Sequence, residues 1–291
     1  INVSLLQGNV PQSLKWDPQR LPLSIDTYVR LANEAAPGTP PAHLTVLPET
    51  ALPLFLSQVP REILEDLTRR SDALIGIAIH TRDGGYANGA VALTRNPDDR
   101  GAGLKMSAYA KRHLVPFGEY APPGFAWFFK FASIPMSSFT AGTATQAPLE
   151  LAGQRIAANI CYEDLFGEEL LAALPLATLL INLSNTAWFG DSLAQPQHLQ
   201  IAQMRALETG RTILRATNTG MTAMIGPDGR IAATLPAFTT GVLRVQAQGY
   251  SGLTPYARWG NALALLLAAG SCLPAWRRQK VRRAEAVKVS S

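Results

Sequence analysis

Short apolar segments rich in β-branched residues alternate along the chain with longer segments whose apolar residues recur every three or four positions. The short segments predict β-strands and the longer ones predict helices. The predicted strands are Val3–Gln7, Leu44–Leu47, Ala73–Ile79, Gly89–Leu93, Arg155–Ile160, Thr178–Leu183, Thr212–Ala216, Thr222–Ile225 and Ile231–Leu235. The predicted helices are Pro22–Ala35, Arg61–Arg70, Phe166–Ala173 and Pro196–Gly210. Because the strands have few polar positions, they indicate sheets covered by helices, an α/β layer architecture.

The composition is that of a folded chain with a large core. The 291 residues are 47% hydrophobic and 16% charged, and two cysteines exclude a disulfide-dense scaffold. The formal charge of +5 is located at the end of the chain, where six basic residues and Glu285 follow from Arg277 onward. The remaining body is therefore neutral, which argues against a nucleic-acid-binding face.

An uncharged segment lies directly before the basic tail. No charged residue occurs between Trp259 and Trp276, and residues 262–269 are all Ala or Leu. Aromatic residues at both ends and arginines immediately afterwards favour a transmembrane helix with a cytoplasmic tail. A buried C-terminal helix is the alternative, because the segment is short and contains Asn261 and Pro274. The other end begins at Ile1 without Met or a signal-peptide pattern, so we expect a longer protein.

A second unusual segment, Pro122–Phe139, contains five phenylalanines and a tryptophan with Lys130 as its only charge. One interpretation is a core helix. The other is an apolar arm that touches lipid or lines an acyl-chain cavity.

Cys161 is the first residue with candidate chemistry. It ends the predicted strand 155–160 and precedes a helical segment, a position where a thiolate is stabilised and where sites of α/β folds occur. An inert core cysteine is the alternative, and we expect that role for Cys272 in the apolar segment.

A nucleophilic thiol needs a base. The histidines are scattered, without metal-ligand spacing or a clear pairing with the thiol: His43, His80, His113 and His198. Glu49 ends the strand 44–47 and could accept the thiol proton if partly desolvated. Lys111 could lower the thiol pKa and donate to an oxyanion. Taken singly, Glu49 and Lys111 could equally be surface residues.

Together, the segments LPET, AKRHLVPFGEY and NICYED follow the order and spacing of the Glu-Lys-Cys triad of the nitrilase superfamily, which the chain resembles. Within it the chain is most similar to the apolipoprotein N-acyltransferase branch, which adds the third acyl chain to bacterial lipoproteins. The further matching segments are LSNTAWFG, Gln200–Glu208, RATNTG and GLTPYAR. The resemblance runs from about Val3 to the apolar segment.

The resemblance implies a four-layer α-β-β-α sandwich. Residues 1–250 would form a catalytic domain on the periplasmic side of the bacterial inner membrane and residues 251–258 a connector. Residues 259–276 would be the transmembrane helix and residues 277–291 the cytoplasmic tail. The several membrane helices that precede this domain in the family are not part of this sequence.

The resemblance also implies roles for individual residues. Cys161 would be the nucleophile, Glu49 the general base and Lys111 the oxyanion stabiliser. The implied supporting residues are Glu119, which would orient the lysine, and three around the pocket, Tyr162, Glu163 and Trp188. A phospholipid would donate the acyl chain and a diacylglyceryl-apolipoprotein would accept it, without a metal or other cofactor.

Two alternatives stay open at this point. The same triad could serve an amide hydrolase that uses water as the second nucleophile, although such an enzyme has no reason to carry an apolar anchor. The fold could also be a non-enzymatic binding module of the cell envelope, against which the intact triad argues.

Overall fold

The computed structural model describes residues 1–12, 19–34, 36–95, 103–122, 124, 138–272 and 274. Its strands, in chain order, are β1 (Asn2–Gln7), β2 (Leu44–Val46), β3 (Asp72–His80), β4 (Tyr86–Thr94), β5 (Lys105–Ala110), β6 (Leu149–Leu151), β7 (Gln154–Ile160), β8 (Leu179–Ser184), β9 (Ile213–Thr217), β10 (Ala223–Ile225), β11 (Ile231–Thr234) and β12 (Gly241–Gln246). Its helices are α1 (Leu21–Asn33), α2 (Arg61–Leu67), α3 (Gly167–Leu170), α4 (Ala194–Thr209) and α5 (Pro255–Trp259), and a further helical segment at residues 262–272 follows them.

The strands form two six-stranded sheets, in the orders β12-β1-β2-β3-β4-β5 and β11-β10-β9-β8-β7-β6. Each sheet has a parallel centre, β1-β2-β3 in the first and β7-β8-β9 in the second. Antiparallel strands extend both edges.

Successive side chains of a strand point to opposite faces of its sheet, so each sheet packs against a different layer on each face. Leu5 of β1 and Ile160 of β7 belong to one core between the two sheets. Leu6, on the other face of β1, packs in a second core with Tyr28 of α1. A third core joins the outer face of the second sheet to Leu199 of α4. The order helix, sheet, sheet, helix confirms the expected four-layer sandwich.

All nine predicted strands are present, with ends shifted by up to three residues. Three strands were not predicted: β5, β6 and β12. The first four residues of β5 are exposed, β6 has three residues, and β12 is only half-buried at a sheet edge. Predicted helix 166–173 is instead the short α3 followed by a 3-10 turn at Leu171–Ala173, and a 3-10 turn at Cys161–Leu165 precedes it.

The C-terminal segment is helical at residues 262–272, and its side chains are exposed. Among the described residues, no helix has both the length and the apolar character needed to cross a membrane. The predicted span at residues 259–276 is therefore not confirmed, and its last part lies outside the described residues together with the tail. Most of Pro122–Phe139 also lies outside them.

Candidate active site

Glu49 lies just beyond the carboxyl end of β2 and is buried. Its Oε1 accepts hydrogen bonds from Asn88 Nδ2 at 2.8 Å and from Lys111 Nζ at 3.4 Å. Its Oε2 accepts from the backbone N–H of Asn185, which directly follows β8 of the second sheet, at 2.9 Å. Because both oxygens are held, the carboxylate has a fixed orientation at the junction of the two sheets.

Lys111 follows β5, and its side chain is only 1% exposed. Burial of the ammonium lowers the pKa of Lys111, but the negative charges of Glu49 and Glu119 more than compensate, so that its pKa lies above the ordinary value. Nζ donates to Glu119 Oε1 at 2.9 Å. Lys111 is therefore an ammonium at neutral pH, which suits a donor to an oxyanion and excludes a role as general base.

Asn88 on β4 is a site residue that the sequence analysis missed. Its buried Nδ2 donates to Glu49 Oε1 and, at 2.9 Å, to Glu119 Oε1. Its carbonyl accepts the backbone N–H of Lys111 at 2.8 Å. Asn88 thus holds both carboxylates around the ammonium. The only available signal was one amide in an otherwise apolar strand.

Cys161 begins the turn after β7 with a φ of 51°, in the left-handed region that non-glycine residues rarely adopt. Burial raises the pKa of its thiol above the ordinary value, the charge of Glu49 raises it further, and Lys111 lowers it only in part. The expectation of a stabilised thiolate is therefore wrong for the resting site. The thiol is protonated at neutral pH, so its attack requires a base, and Glu49 is the carboxylate whose charge acts on it most strongly.

Glu163, one of the residues expected around the pocket, is buried and connects two segments of the site. Its Oε1 accepts from Tyr109 Oη at 2.8 Å and from the backbone N–H groups of Arg112 and His113 at 2.7 and 3.1 Å. Its Oε2 accepts from the backbone N–H of Ile160 at 2.7 Å. Glu163 therefore links the segment after Lys111 to the end of β7, directly before Cys161.

The structure also locates the two aromatic candidates. Tyr162 is half-buried, with its ring edge-on to His113 and Phe166 at centroid distances of 5.5 and 5.1 Å. Trp188 is 66% exposed on the 3-10 turn Ala187–Phe189, three residues after the Asn185 that contacts Glu49. Its contact with a substrate stays a prediction.

Comparisons with known proteins show which sequences this chain resembles. A sequence model of the carbon-nitrogen hydrolase family matches residues 2–256. The chain is 48% identical to a protein of Nitrosomonas europaea named apolipoprotein N-acyltransferase, over 93% of this chain and 54% of the relative. It is 49% identical to the protein of the same name from Chromobacterium violaceum, over 96% of this chain and 54% of the relative. The chain thus spans about half the length of the curated relatives it matches.

Solved structures share the fold. A carbon-nitrogen hydrolase from Helicobacter pylori G27 superposes with a TM-score of 0.61 at 14% identity, over 84% of this chain and 88% of that one. Saccharomyces cerevisiae Nit3, of the nitrilase superfamily, gives a TM-score of 0.61 at 16% identity, over 85% of this chain and 90% of that one. With the family match over most of its length and the two-sheet sandwich, this chain belongs to the carbon-nitrogen hydrolase family.

Proposed function

We propose that this chain transfers a fatty acyl group from a phospholipid, through a thioester on Cys161, to the α-amino group of the N-terminal diacylglyceryl-cysteine of an apolipoprotein. The observation that carries the proposal is the buried cluster of Glu49, Lys111 and Glu119, which interacts electrostatically with Cys161. The identity of 48% to a relative named apolipoprotein N-acyltransferase supports this choice of substrates within the family.

In the first half-reaction Glu49 takes the proton of the Cys161 thiol as sulfur attacks the ester carbonyl of the phospholipid. The Lys111 ammonium donates to the oxyanion of the tetrahedral intermediate. When the intermediate collapses, the carbon–oxygen bond breaks and the leaving alkoxide of the lysophospholipid takes the proton from Glu49. The enzyme is left as an acyl thioester with Glu49 again a carboxylate.

In the second half-reaction the α-amino group of the acceptor attacks the thioester carbonyl. Glu49 accepts the proton that the amine loses, and Lys111 again stabilises the oxyanion. The carbon–sulfur bond breaks, the thiolate regains the proton, and an amide is released. The two steps use one base, one oxyanion donor and one nucleophile, which are the three groups that the site provides.

The membrane location is part of the proposal. We place the described body on the periplasmic side of the bacterial inner membrane, residues 259–276 in the bilayer and residues 277–291 in the cytoplasm. The exposed leucines at positions 263, 265, 266 and 267 support this arrangement, because consecutive helical positions point in different directions and only a surrounding apolar medium covers them all.

The test is a product assay with the protein purified from membranes in detergent. Phospholipid and a diacylglyceryl-cysteine peptide should yield a peptide heavier by one fatty acyl group in amide linkage, together with lysophospholipid. Cys161→Ala, which lacks the nucleophile, should yield neither. Release of ammonia from a small amide, with no acylated peptide, would instead assign the chain to the amide hydrolases.

A further inference from the structure

A row of polar side chains crosses the second sheet just below Cys161. Asn159, Asn182 and Arg215 occupy paired positions on β7, β8 and β9. Asn182 Nδ2 donates to Asn159 Oδ1 at 2.6 Å, and Arg215 Nη1 donates to Asn182 Oδ1 at 2.8 Å. All three are at most 2% exposed.

This row contacts the turn of the nucleophile at two points. Asn182 Nδ2 also donates to the carbonyl oxygen of Cys161, at 3.3 Å. Arg215 Nη1 also donates to Asp164 Oδ2, at 3.0 Å, in the same 3-10 turn. The turn that begins with the left-handed Cys161 is therefore held at its first residue and at its fourth.

The ion pair between Asp164 and Arg215 in this network is costly to bury. Among the described residues, Asp164 Oδ1 and Arg215 Nε have no hydrogen-bond partner. Burial raises the pKa of Asp164 to about 7 although the guanidinium of Arg215 favours the carboxylate. A well-packed apolar pair of similar volume is often as stable as a buried ion pair, so stability alone does not explain these residues.

His198 contacts both members of the ion pair. Its Nδ1 lies 3.4 Å from Asp164 Oδ2 and also contacts Arg215 Nη2. Burial and then the charge of Arg215 lower the pKa of His198 to about 3. The ring is therefore neutral. It completes the packing around the ion pair and adds no charge to the site.

We propose that Asn182 and Arg215 are positioning residues, which keep the Cys161 turn in its left-handed conformation and so present Sγ to Glu49 and Lys111. The proposal rests on the proposed function only in taking Cys161 as the nucleophile. Hydrogen bonds are directional, so these contacts fix the position and the orientation of the turn relative to the sheet. Apolar packing alone would fix them less precisely.

The test measures acylation of the purified protein by phospholipid over a range of donor concentrations, together with alkylation of Cys161 by iodoacetamide and the melting temperature. Asn182→Leu keeps a similar volume but loses the donor to the Cys161 carbonyl. We expect its maximal acylation rate constant to fall by about 10²-fold, as for a small misplacement of a reacting group, with the half-saturating donor concentration nearly unchanged. The rate of Cys161 alkylation at a fixed pH should also differ from that of the wild type, because a displaced Sγ no longer lies in the same position relative to the charges of Glu49 and Lys111, which act on its pKa.

Thr212→Val is the matched control. Thr212 is a buried residue that precedes β9 and donates to the carbonyl of Gln248, away from the nucleophile. It should lower the melting temperature without changing either rate. Arg215→Lys is the second variant, since lysine keeps the charge opposite Asp164 but cannot serve Asp164 and Asn182 with the geometry of a guanidinium. It should slow acylation in the same way.

Wild-type rates in folded Asn182→Leu would overturn the proposal, and so would a rise in the half-saturating concentration at an unchanged maximal rate. If both network variants unfold while Thr212→Val does not, the network serves stability and the positioning role is wrong. Failure of the wild type to react with phospholipid would refute the proposed function alone, because alkylation of Cys161 still compares the variants.

Discussion

At the scale of single residues, the charge of Lys111 governs the chemistry. The ammonium is almost fully buried, and it stays protonated because Glu49 and Glu119 lie against it. We expect Lys111→Met to lower the rate of acylation by about 10²-fold or more, as removal of an oxyanion donor does in other enzymes. Lys105→Met, an exposed lysine on the strand that leads to Lys111, is the control and should leave the rate unchanged. Near-normal acylation in Lys111→Met, measured by rapid quench, would contradict the role.

The thiol offers a prediction about pH. Because the pKa of Cys161 is raised, alkylation by iodoacetamide should still increase with pH above about 10, where an ordinary thiol with a pKa of about 8.5 approaches its plateau. The charge of Glu49 is one cause of the raised value, so Glu49→Gln should shift the profile to lower pH while abolishing acylation. The measurement uses Cys272→Ser, since Cys272 is exposed and would react. An alkylation rate that has already reached its plateau by about pH 10 in the parent protein would contradict the raised pKa.

Asn88 shows what a sequence can and cannot reveal at this scale. Glu49, Lys111 and Cys161 lie in recognisable segments, and Glu49 and Cys161 also lie at the ends of predicted strands, so they could be identified. Asn88 lies inside a strand of apolar residues, and its role depends on two carboxylates 39 and 31 positions away. We expect Asn88→Leu to slow acylation by about tenfold or more, because Glu49 loses a hydrogen bond that orients it. A matched change away from the site, Asn33→Leu at the half-buried end of α1, should have little effect on the rate.

At the scale of elements, β3 shapes the site through a glycine. A Cβ on Gly76 would lie 2.3 Å from the carbonyl oxygen of Pro48 and 2.6 Å from Cα of Glu49, closer than side chains approach backbone. The Gly76 carbonyl also accepts the N–H of Ala51 at 2.9 Å. Gly76→Ala should therefore displace Glu49 and reduce acylation by about tenfold or more with the fold retained. Gly103→Ala, where a Cβ meets nothing within 4 Å, is the control.

The central strands could be predicted because both faces are buried and most of their residues are apolar. Three of the four edge strands, β5, β6 and β12, could not be predicted, because each lacks part of that signal. β12 pairs with β1 across more than 230 residues, with Asn2 opposite Gln246, and no local pattern reports such a partner. The left-handed turn at Cys161 was also beyond reach, since the contacts that hold it come from β8 and β9.

At the scale of the whole molecule, the membrane arrangement predicts which surfaces water-soluble reagents reach. In a background of Cys161→Ala and Cys272→Ser, Ser107→Cys reports on the exposed edge strand β5 and Ser290→Cys on the tail. A membrane-impermeant maleimide should label position 107 in intact spheroplasts, but position 290 only after the inner membrane is opened. Labelling of both positions in intact spheroplasts would contradict the proposed topology.

The central claim is that Cys161 carries the acyl group, and mass spectrometry tests it most directly. The membrane-purified protein is incubated with phospholipid but without an acceptor. It is then digested, and the mass of the peptide that contains Cys161 is measured. The account predicts a fatty-acyl adduct on that peptide that hydroxylamine removes and that Cys161→Ala lacks. An unmodified peptide after phospholipid, together with an adduct formed from a small amide or nitrile, would contradict it.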